Sequence, residues 1–220
     1  MAKTMQVAIV ALAFALAVAV TADPQPPTLP NLWTSHINMF VAPATYFTGA
    51  MYVDYTTGMQ RTDIVMPPMV LSVFENFDSS GKFSSPQTTL AYLPATQNKQ
   101  VCSKQATSGS VIGQDALAKA EFVGVGNWYG TNAYIWSAHG EGQVYSAYTA
   151  IDSGALVALE TYNATTNSLD VVISFSGFTD SIASGVFTIP DMPCPSNGIA
   201  AASHGKNANM ELLRKTLNLA

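Results

Sequence analysis

The densest group of charged side chains lies in one predicted hairpin. Asp54, Arg61 and Asp63 flank the turn sequence Thr56-Thr57-Gly58. A loop of two or four residues would place Asp54 opposite Arg61 as a cross-strand ion pair, whereas a three-residue loop with a left-handed glycine would shift its partner to Gln60. The sequence leaves this register open. We expect the three residues to clip the hairpin, with contact to a ligand head group or an ion as the alternative.

Side chains suited to acid–base or nucleophilic catalysis are sparse. The histidines are His36, His139 and His204, and only His139-Gly140-Glu141 brings an acid next to a base. Residues so close across a glycine turn seldom point at each other. The sequence contains no Gly-x-Ser-x-Gly elbow, no His-Glu-x-x-His pair and no phosphate-binding loop. We therefore expect no enzyme, no cofactor and no metal site, although a catalytic triad assembled in space needs no local signature.

Methionines crowd into the first third of the chain, among several phenylalanines and tyrosines. Methionine is flexible and polarisable, so it adapts to apolar surfaces of varied shape. Packing in the core is the simpler interpretation, and a cavity for an apolar small molecule is the alternative. The predicted lining residues of such a cavity are Phe47, Met51, Tyr52, Met66, Met69, Phe74, Trp128 and Trp136.

Residues 1–22 have the order of a secretory signal peptide. Lys3 supplies a positive start, the run from Val7 to Val20 is apolar, and Val20-Thr21-Ala22 is a small-residue cleavage signal. The apolar run is about 14 residues, shorter than the ~20 that span a bilayer. We expect cleavage before Asp23 and a secreted or luminal protein.

Two cysteines, Cys102 and Cys194, are present in the whole chain. An even count in a secreted chain favours a disulfide, and a metal site needs more ligands than two distant thiols and three scattered histidines. Closing a loop of ~90 residues contributes about 4–5 kcal/mol in the chain-entropy view. The sequon Asn163-Ala164-Thr165 predicts a solvent-exposed tip that is glycosylated in a host with that machinery.

Charge narrows the choice of partners. The chain has 9 basic and 14 acidic residues, and loss of Lys3 with the leader brings the net charge near −6. Nucleic acids and anionic lipid surfaces reward clustered Lys and Arg, so neither is an expected partner. Only 10% of residues are charged and 48% are hydrophobic. Such a chain can bury a large core and keep apolar surface for a ligand. No segment after the leader is apolar enough for us to expect a membrane span. The oligomeric state stays open.

Short runs rich in Val, Ile, Tyr, Phe and Thr follow a proline-rich lead and are bounded by turn residues. About ten strands at hairpin spacing predict a mainly β protein with an antiparallel sheet. We expect an extended arm at 23–45, the sheet domain at 46–194 and a tail at 195–220, with short helices at Gln114 to Lys119 and Met210 to Leu219. The predicted strands are Tyr46 to Tyr55, Met59 to Met66, Met69 to Phe74, Thr88 to Leu93, Ala118 to Val125, Asn132 to Ser137, Gln143 to Ile151, Ala155 to Thr161, Leu169 to Phe175 and Gly185 to Ile189.

Several segments resemble secreted ependymin-related and LolA-like proteins. Tyr52 to Asp63 is similar to their hairpin of aromatic–Asp–aromatic, turn and Arg-x-Asp. Ala120 to Gly126, with the strand that ends at Trp136, resembles their small–aromatic–x-Gly segment and Trp-ending strand. Ser174 to Phe178, followed by Val186 to Cys194, resembles their closing aromatic strand and Phe-x-Ile-Pro before a terminal cysteine. Together these segments cover most of the predicted domain.

The resemblance implies a strongly curved antiparallel sheet, the half-barrel of LolA-like proteins, closed by a helix or loop and holding a lipid or other hydrophobic small molecule. The expected function is therefore non-enzymatic, secreted binding of such a molecule. A structural or adhesive extracellular protein with a filled interior is the alternative, and a hydrolase comes third. Convergent His, Ser and Asp side chains in a cleft would favour the hydrolase. Ependymins carry more cysteines than this chain, so calcium binding has little support.

Overall fold

The computed structural model describes residues 24–195 except 68, 94–98, 108–110, 116 and 141. This part of the chain forms β-strands and turns, with no helix. The strands are β1 (Leu32–Val41), β2 (Thr45–Asp54), β3 (Met59–Met66), β4 (Met69–Phe77), β5 (Phe83–Leu93), β6 (Lys99–Gln105), β7 (Glu121–Trp128), β8 (Thr131–Gly140), β9 (Gln143–Ala150), β10 (Leu156–Asn163) and β11 (Leu169–Thr179).

These strands form one antiparallel sheet in the order β6-β5-β4-β3-β2-β1-β11-β10-β9-β8-β7. Consecutive strands pair with each other, except that β6 and β7 lie at the two edges of the sheet. In addition β1 pairs with β11, where Met39 lies opposite Ile173. Two meanders, β1–β6 and β7–β11, are thus joined through the first and last strands. The predicted class, a mainly β protein with an antiparallel sheet, is confirmed, with eleven strands instead of about ten.

Side chains alternate between the two faces along each strand, as the pleat requires. In β1 every second residue is buried, as Trp33, Ile37 and Val41 illustrate. The matching residues of β2 and β11, such as Val53 and Ile173, join them in the main hydrophobic core. One face of the sheet, here called the inner face, therefore carries the core.

The sheet is curved around this inner face. Phe77 of β4 and Leu159 of β10 line the same cavity, although five strand steps separate them in the sheet order. In a flat sheet five steps would span about 24 Å. The strands must therefore bend into a trough that brings β4 and β10 towards each other, and the inner face is its concave side.

The predicted helix at Gln114 to Lys119 is wrong. The described residues of this segment form turns, in which Ala118 N donates to Asp115 O at 2.9 Å and Ala120 N donates to Leu117 O at 2.9 Å. A six-residue helix is far below the ~12–15 residues at which isolated helices become marginal, so packing decides the conformation. Here Leu117 inserts into the main core. The other predicted helix, at Met210 to Leu219, lies outside the described residues.

Three strand assignments also need correction. Residues 32–41, predicted as part of an extended arm, form β1 near the middle of the sheet, because strict alternation begins as soon as the prolines end. Lys99–Gln105, which was not predicted, forms the edge strand β6 despite its polar composition. Gly185 to Ile189, predicted as a strand, is a turn: Gly185 has a φ of 81°, and Thr188 N donates to Gly185 O at 2.9 Å.

Candidate ligand cavity

The trough encloses a cavity of about 680 Å³ on its inner face. Small-molecule sites commonly have volumes of roughly 300–1,000 Å³, so this cavity is large enough for a ligand. Its walls come from the end of β4 and the turn after it, from strands β8 to β10, and from a loop between β6 and β7.

The floor of the cavity is apolar and buried. Leu156 and Leu159 both line it, although an odd spacing in a regular strand would put them on opposite faces. A shift in the β9–β10 register between Leu156 and Ala158 returns both side chains to the inner face. The buried apolar residues that line the cavity are Leu29, Phe77, Val111, Leu117, Leu156 and Leu159.

Residues 111–115 and 117, here called the covering segment, close one side of the cavity. Backbone hydrogen bonds hold this segment at two points: Val111 N donates to Gly81 O at 2.9 Å, and Leu29 N donates to Gln114 O at 3.1 Å. The Tyr55 hydroxyl adds a third contact by donating to the Ile112 carbonyl. The resemblance implied that a helix or a loop closes the concave side of the sheet. In this structure a loop does so, and it is bonded to Leu29, Gly81 and Tyr55.

Polar residues form an exposed rim around the apolar floor. Asp78, Ser79, Ser80, Asp115 and His139 line the cavity and are exposed. The side chain of Asp78 is fixed by its own turn, because Oδ1 accepts hydrogen bonds from Ser80 Oγ at 2.6 Å and from Ser80 N at 2.8 Å. These bonds, led by that from the Ser80 hydroxyl, hold the pKa of Asp78 below its usual value.

Tyr55 connects the rim with the floor. Burial raises the pKa of its hydroxyl to about 12, and the negative charge of Asp115 adds to the rise. The hydroxyl is therefore a neutral hydrogen-bond donor at physiological pH, and it is committed to the Ile112 carbonyl. Asp115, in the covering segment, lines the same cavity as Tyr55.

The rim also holds the residue types expected of a hydrolase. His139, Ser79 and Ser80 share the cavity with Asp78 and Asp115. The Ser80 hydroxyl, however, donates to Asp78, and no hydrogen bond between described residues joins His139 to a serine or an aspartate. An activated nucleophile needs a base within hydrogen-bond reach, so this arrangement gives hydrolysis no support.

Glu141, the predicted acidic neighbour of His139, and His204 lie outside the described residues. Within the described part of the chain, no three His, Cys, Asp or Glu side chains are grouped so as to hold a metal ion. The same residues include no helix long and apolar enough to cross a membrane.

A buried carboxyl group lies elsewhere on the inner face, in β4. Glu75 is 5% exposed, and Gln60 Nε2 of β3 donates to its Oε2 at 3.0 Å. Burial outweighs the hydrogen bonds from Gln60 and Thr107 and raises the pKa of Glu75 to about 7. Leu71, Val73 and Glu75 are alternate residues of β4, so they share the inner face. The sequence analysis did not use this pattern and missed Glu75.

The eight predicted pocket residues divide between the two faces of the sheet. Trp136 is buried on the inner face, where its Nε1 donates to Thr149 Oγ1 at 2.7 Å. On the outer face, Trp128 packs against Tyr148 with ring centroids 4.7 Å apart. Phe47, Met51 and Trp136 lie in the main core, Met66 and Met69 pack against it, and Tyr52, Phe74 and Trp128 belong to the outer face.

None of these eight residues lines the cavity. Their contact with a ligand stays a prediction. The pocket prediction missed the residues that do line the cavity, which come from β4 and the turn after it, from β8 to β10, and from the covering segment. The available signal was a short apolar group, Val111, Ile112 and Leu117, set in an otherwise turn-like stretch.

The charged hairpin has a register that the sequence did not anticipate. Its loop spans residues 55–58, so that Asp54 lies opposite Met59 and Arg61 lies opposite Tyr52. Neither predicted partner of Asp54 is found. Its carboxylate caps the turn instead, accepting hydrogen bonds from Thr56 N at 2.8 Å, Thr57 N at 3.2 Å and Thr57 Oγ1 at 2.7 Å.

Arg61 fastens the segment after β11 to the outer face. Its Nε pairs with Asp63 Oδ1 at 2.8 Å, and its Nη1 donates to the Val186 carbonyl at 2.7 Å. The guanidinium lies 5.1 Å from the ring centre of Phe74 and 5.7 Å from that of Tyr52. Every one of these contacts is within the fold. Arg61 and Asp63 lie on the same strand, so their ion pair does not join the two strands of the hairpin as the predicted clip would. Contact of this cluster with a ligand head group or an ion stays a prediction.

The predicted disulfide between Cys102 and Cys194 is formed, with a Cα–Cα distance of 4.7 Å. It lies in a small hydrophobic cluster on the outer face with Phe74, Leu90 and Met192. Beside it, Lys104 N donates to the Pro195 carbonyl at 3.0 Å. The bond thus attaches the segment after the last strand to the opposite half of the sheet.

The predicted sequon lies at an exposed turn. Asn163 Oδ1 accepts hydrogen bonds from Thr165 N at 2.9 Å and Thr166 N at 3.0 Å, and residues 164–168 are exposed. Nothing in the described part of the fold covers this tip, and its glycosylation stays a prediction.

Three comparisons with known proteins were made for the chain as a whole. No protein-family model matches the chain, and no curated protein matches it. Solved structures with a similar fold include an uncharacterized conserved protein from Thermus thermophilus, with a TM-score of 0.49, 10% identity and coverage of 76% of this chain and 90% of that one. A LolA superfamily protein from Nitrosomonas europaea follows with a TM-score of 0.32, 8% identity and coverage of 75% and 92%.

A third similar structure is that of a protein called PNGF-II, with a TM-score of 0.34 and 9% identity, of which this chain spans only 31%. All three TM-scores are below 0.5, so these likenesses settle neither family nor function. The antiparallel trough is established by the pairing of this chain's own strands. The predicted resemblance to ependymin-related and LolA-like proteins therefore stays a prediction.

Proposed function

We propose that the protein binds a lipid or other hydrophobic small molecule in the cavity of the trough, without catalysing a reaction on it. The observation that carries the proposal is a cavity of about 680 Å³ with a buried apolar floor and an exposed polar rim. A structural protein with a filled interior would have no need of this space. A long apolar molecule would lie with its body on the floor and its polar end at the rim.

The driving force would be removal of apolar surface from water. Each methylene group that moves from water to the leucine-lined floor contributes about 0.8 kcal/mol before the cost of ordering the ligand is subtracted. A polar end group buried without a partner would oppose binding. The ligand's orientation therefore follows from the arrangement of the rim.

We also propose that this binding takes place outside the cytoplasm. The order of residues 3–22 is that of a signal peptide, and the Cys102–Cys194 disulfide is of a kind that persists mainly in oxidising compartments. A secreted or luminal carrier would protect an apolar molecule from water during transfer.

The test uses delipidated protein and N-phenylnaphthylamine, a neutral dye that fluoresces in apolar surroundings. Ala138 is a small residue of β8 that lines the cavity, so Ala138→Trp should fill the space and abolish dye binding. Ser137 is its neighbour and points to the outer face by alternation, so Ser137→Trp is the matched control and should bind as the wild type does. Thermal melts of both variants would show that they are folded.

Two results would overturn the proposal. If the folded wild type binds no dye and yields no lipid on solvent extraction, the structural or adhesive function becomes the better interpretation. If Ala138→Trp and Ser137→Trp bind equally well, the dye occupies another place. Hydrolysis of a chromogenic ester that is lost in His139→Ala would instead favour the hydrolase.

A further inference from the structure

The rim of the cavity carries negative charge. Two of its residues, Asp78 and Asp115, are acids. No lysine or arginine is among the described residues that line the cavity, and His139 is the remaining side chain there able to gain a positive charge. A ligand whose polar end reaches the rim would therefore meet aspartates.

Asp115 is the better placed of the two acids. It lies in the covering segment, and its negative charge acts on the hydroxyl of Tyr55, another cavity residue. Its carboxylate accepts no hydrogen bond from the described residues and stays available to a ligand.

Asp78 is less available. Its Oδ1 already accepts three hydrogen bonds from its own turn, from Ser80 N, Ser80 Oγ and Lys82 N. The positive charge of Lys82 also offsets part of its field. Asp115 should accordingly dominate any selection by charge.

Building on the proposed function, we infer that the cavity selects its ligand by the charge of the polar end, taking apolar molecules that end in an amine before those that end in a hydroxyl, and both before those that end in a carboxylate. An ammonium group at the rim gains attraction and a donor–acceptor pair with Asp115. A carboxylate at the same place meets repulsion and finds no lysine or arginine partner among the described lining residues. Because exposed charge pairs are weak, we expect amine and carboxylate to differ by roughly ten-fold in affinity and not by orders of magnitude.

The experiment compares three ligands with the same twelve-carbon chain: dodecylamine, dodecanol and lauric acid. Each displaces N-phenylnaphthylamine from delipidated full-length protein at neutral pH and low salt, below the concentration at which it forms micelles. The expected order of affinity is amine, alcohol, acid. Added salt should narrow the difference, because it screens exposed charges over ~10 Å at 0.1 M.

Asp115→Asn tests the assignment to one residue. It should reduce the ratio of amine to acid affinity by about three- to five-fold while leaving dodecanol unchanged. Asp152→Asn is the matched control, because Asp152 is an exposed acid in the turn between β9 and β10 and does not line the cavity.

The outcomes separate this inference from the function on which it rests. Equal binding of the three ligands, or tightest binding of lauric acid, would overturn the charge selection and leave apolar binding in place. An unchanged ratio in Asp115→Asn would also overturn it. Failure of all three ligands and of the dye would overturn the proposed function itself.

Discussion

Replacing the buried Glu75 by glutamine should change how the protein's stability depends on pH. In the folded protein the pKa of Glu75 is raised from 4.5 to about 7, mainly by burial. Between these values the folded state binds more protons than the unfolded state, so the free energy of unfolding falls as pH rises through this window. Below it both states are protonated, and the stability associated with Glu75 is fully present.

The magnitude follows from the size of the shift. The rise of the Glu75 pKa from 4.5 to about 7 corresponds to about 3 kcal/mol of unfolding free energy lost between acid and alkaline conditions. For a chain of this size that is a fall of roughly 6–12 °C in melting temperature. Glu75→Gln keeps an oxygen that can accept the Gln60 hydrogen bond but cannot ionise. It should therefore remove this part of the pH dependence.

The assay is chemical denaturation of wild type and variant at a series of pH values from 4.5 to 8. Glu121→Gln is the control, because Glu121 is exposed on the edge strand β7. The expected result is that Glu75→Gln and wild type have similar stability in acid and diverge in base, where the variant is more stable. Parallel curves for the two proteins would refute the reasoning, as would a Glu121→Gln variant that behaves like Glu75→Gln.

Two further predictions concern covalent features. Replacing Cys102 and Cys194 together by serine opens a loop of 92 residues and should lower the free energy of unfolding by about 4–5 kcal/mol. The β signal in circular dichroism should be retained. Two free thiols titrated in the native, unreduced protein would contradict the bond. The secreted protein should begin at Asp23, as the order of residues 3–22 predicts, and terminal sequencing that finds Met1 would refute cleavage.

Residue type alone does not say which face of a strand a side chain occupies. Tyr52, Phe74 and Trp128 were predicted as pocket residues from their type; they lie on the outer face of the sheet, and their contact with a ligand stays a prediction. In a strand, the face depends on parity, and a shift of one residue in register moves every side chain to the other face. Within β4 the alternation of side chains could be followed in the sequence, because Leu71 and Val73 lie on one face and Phe74 lies on the other. It could not be read across the hairpin loop at 55–58, whose length sets the partner of Asp54.

The sequence by itself determined the class of fold, the disulfide and most of the strands. Runs of β-branched and aromatic residues between turn residues act locally, and two cysteines allow a single pairing. It did not determine the pairing of β1 with β11, in which Met39 meets Ile173 across more than half of the chain. It also could not place Leu159 and Phe77 around the same cavity. The pairing of β1 with β11 joins the two meanders into one sheet. The curvature of that sheet then brings β4 and β10 towards each other, and the cavity exists because of that curvature.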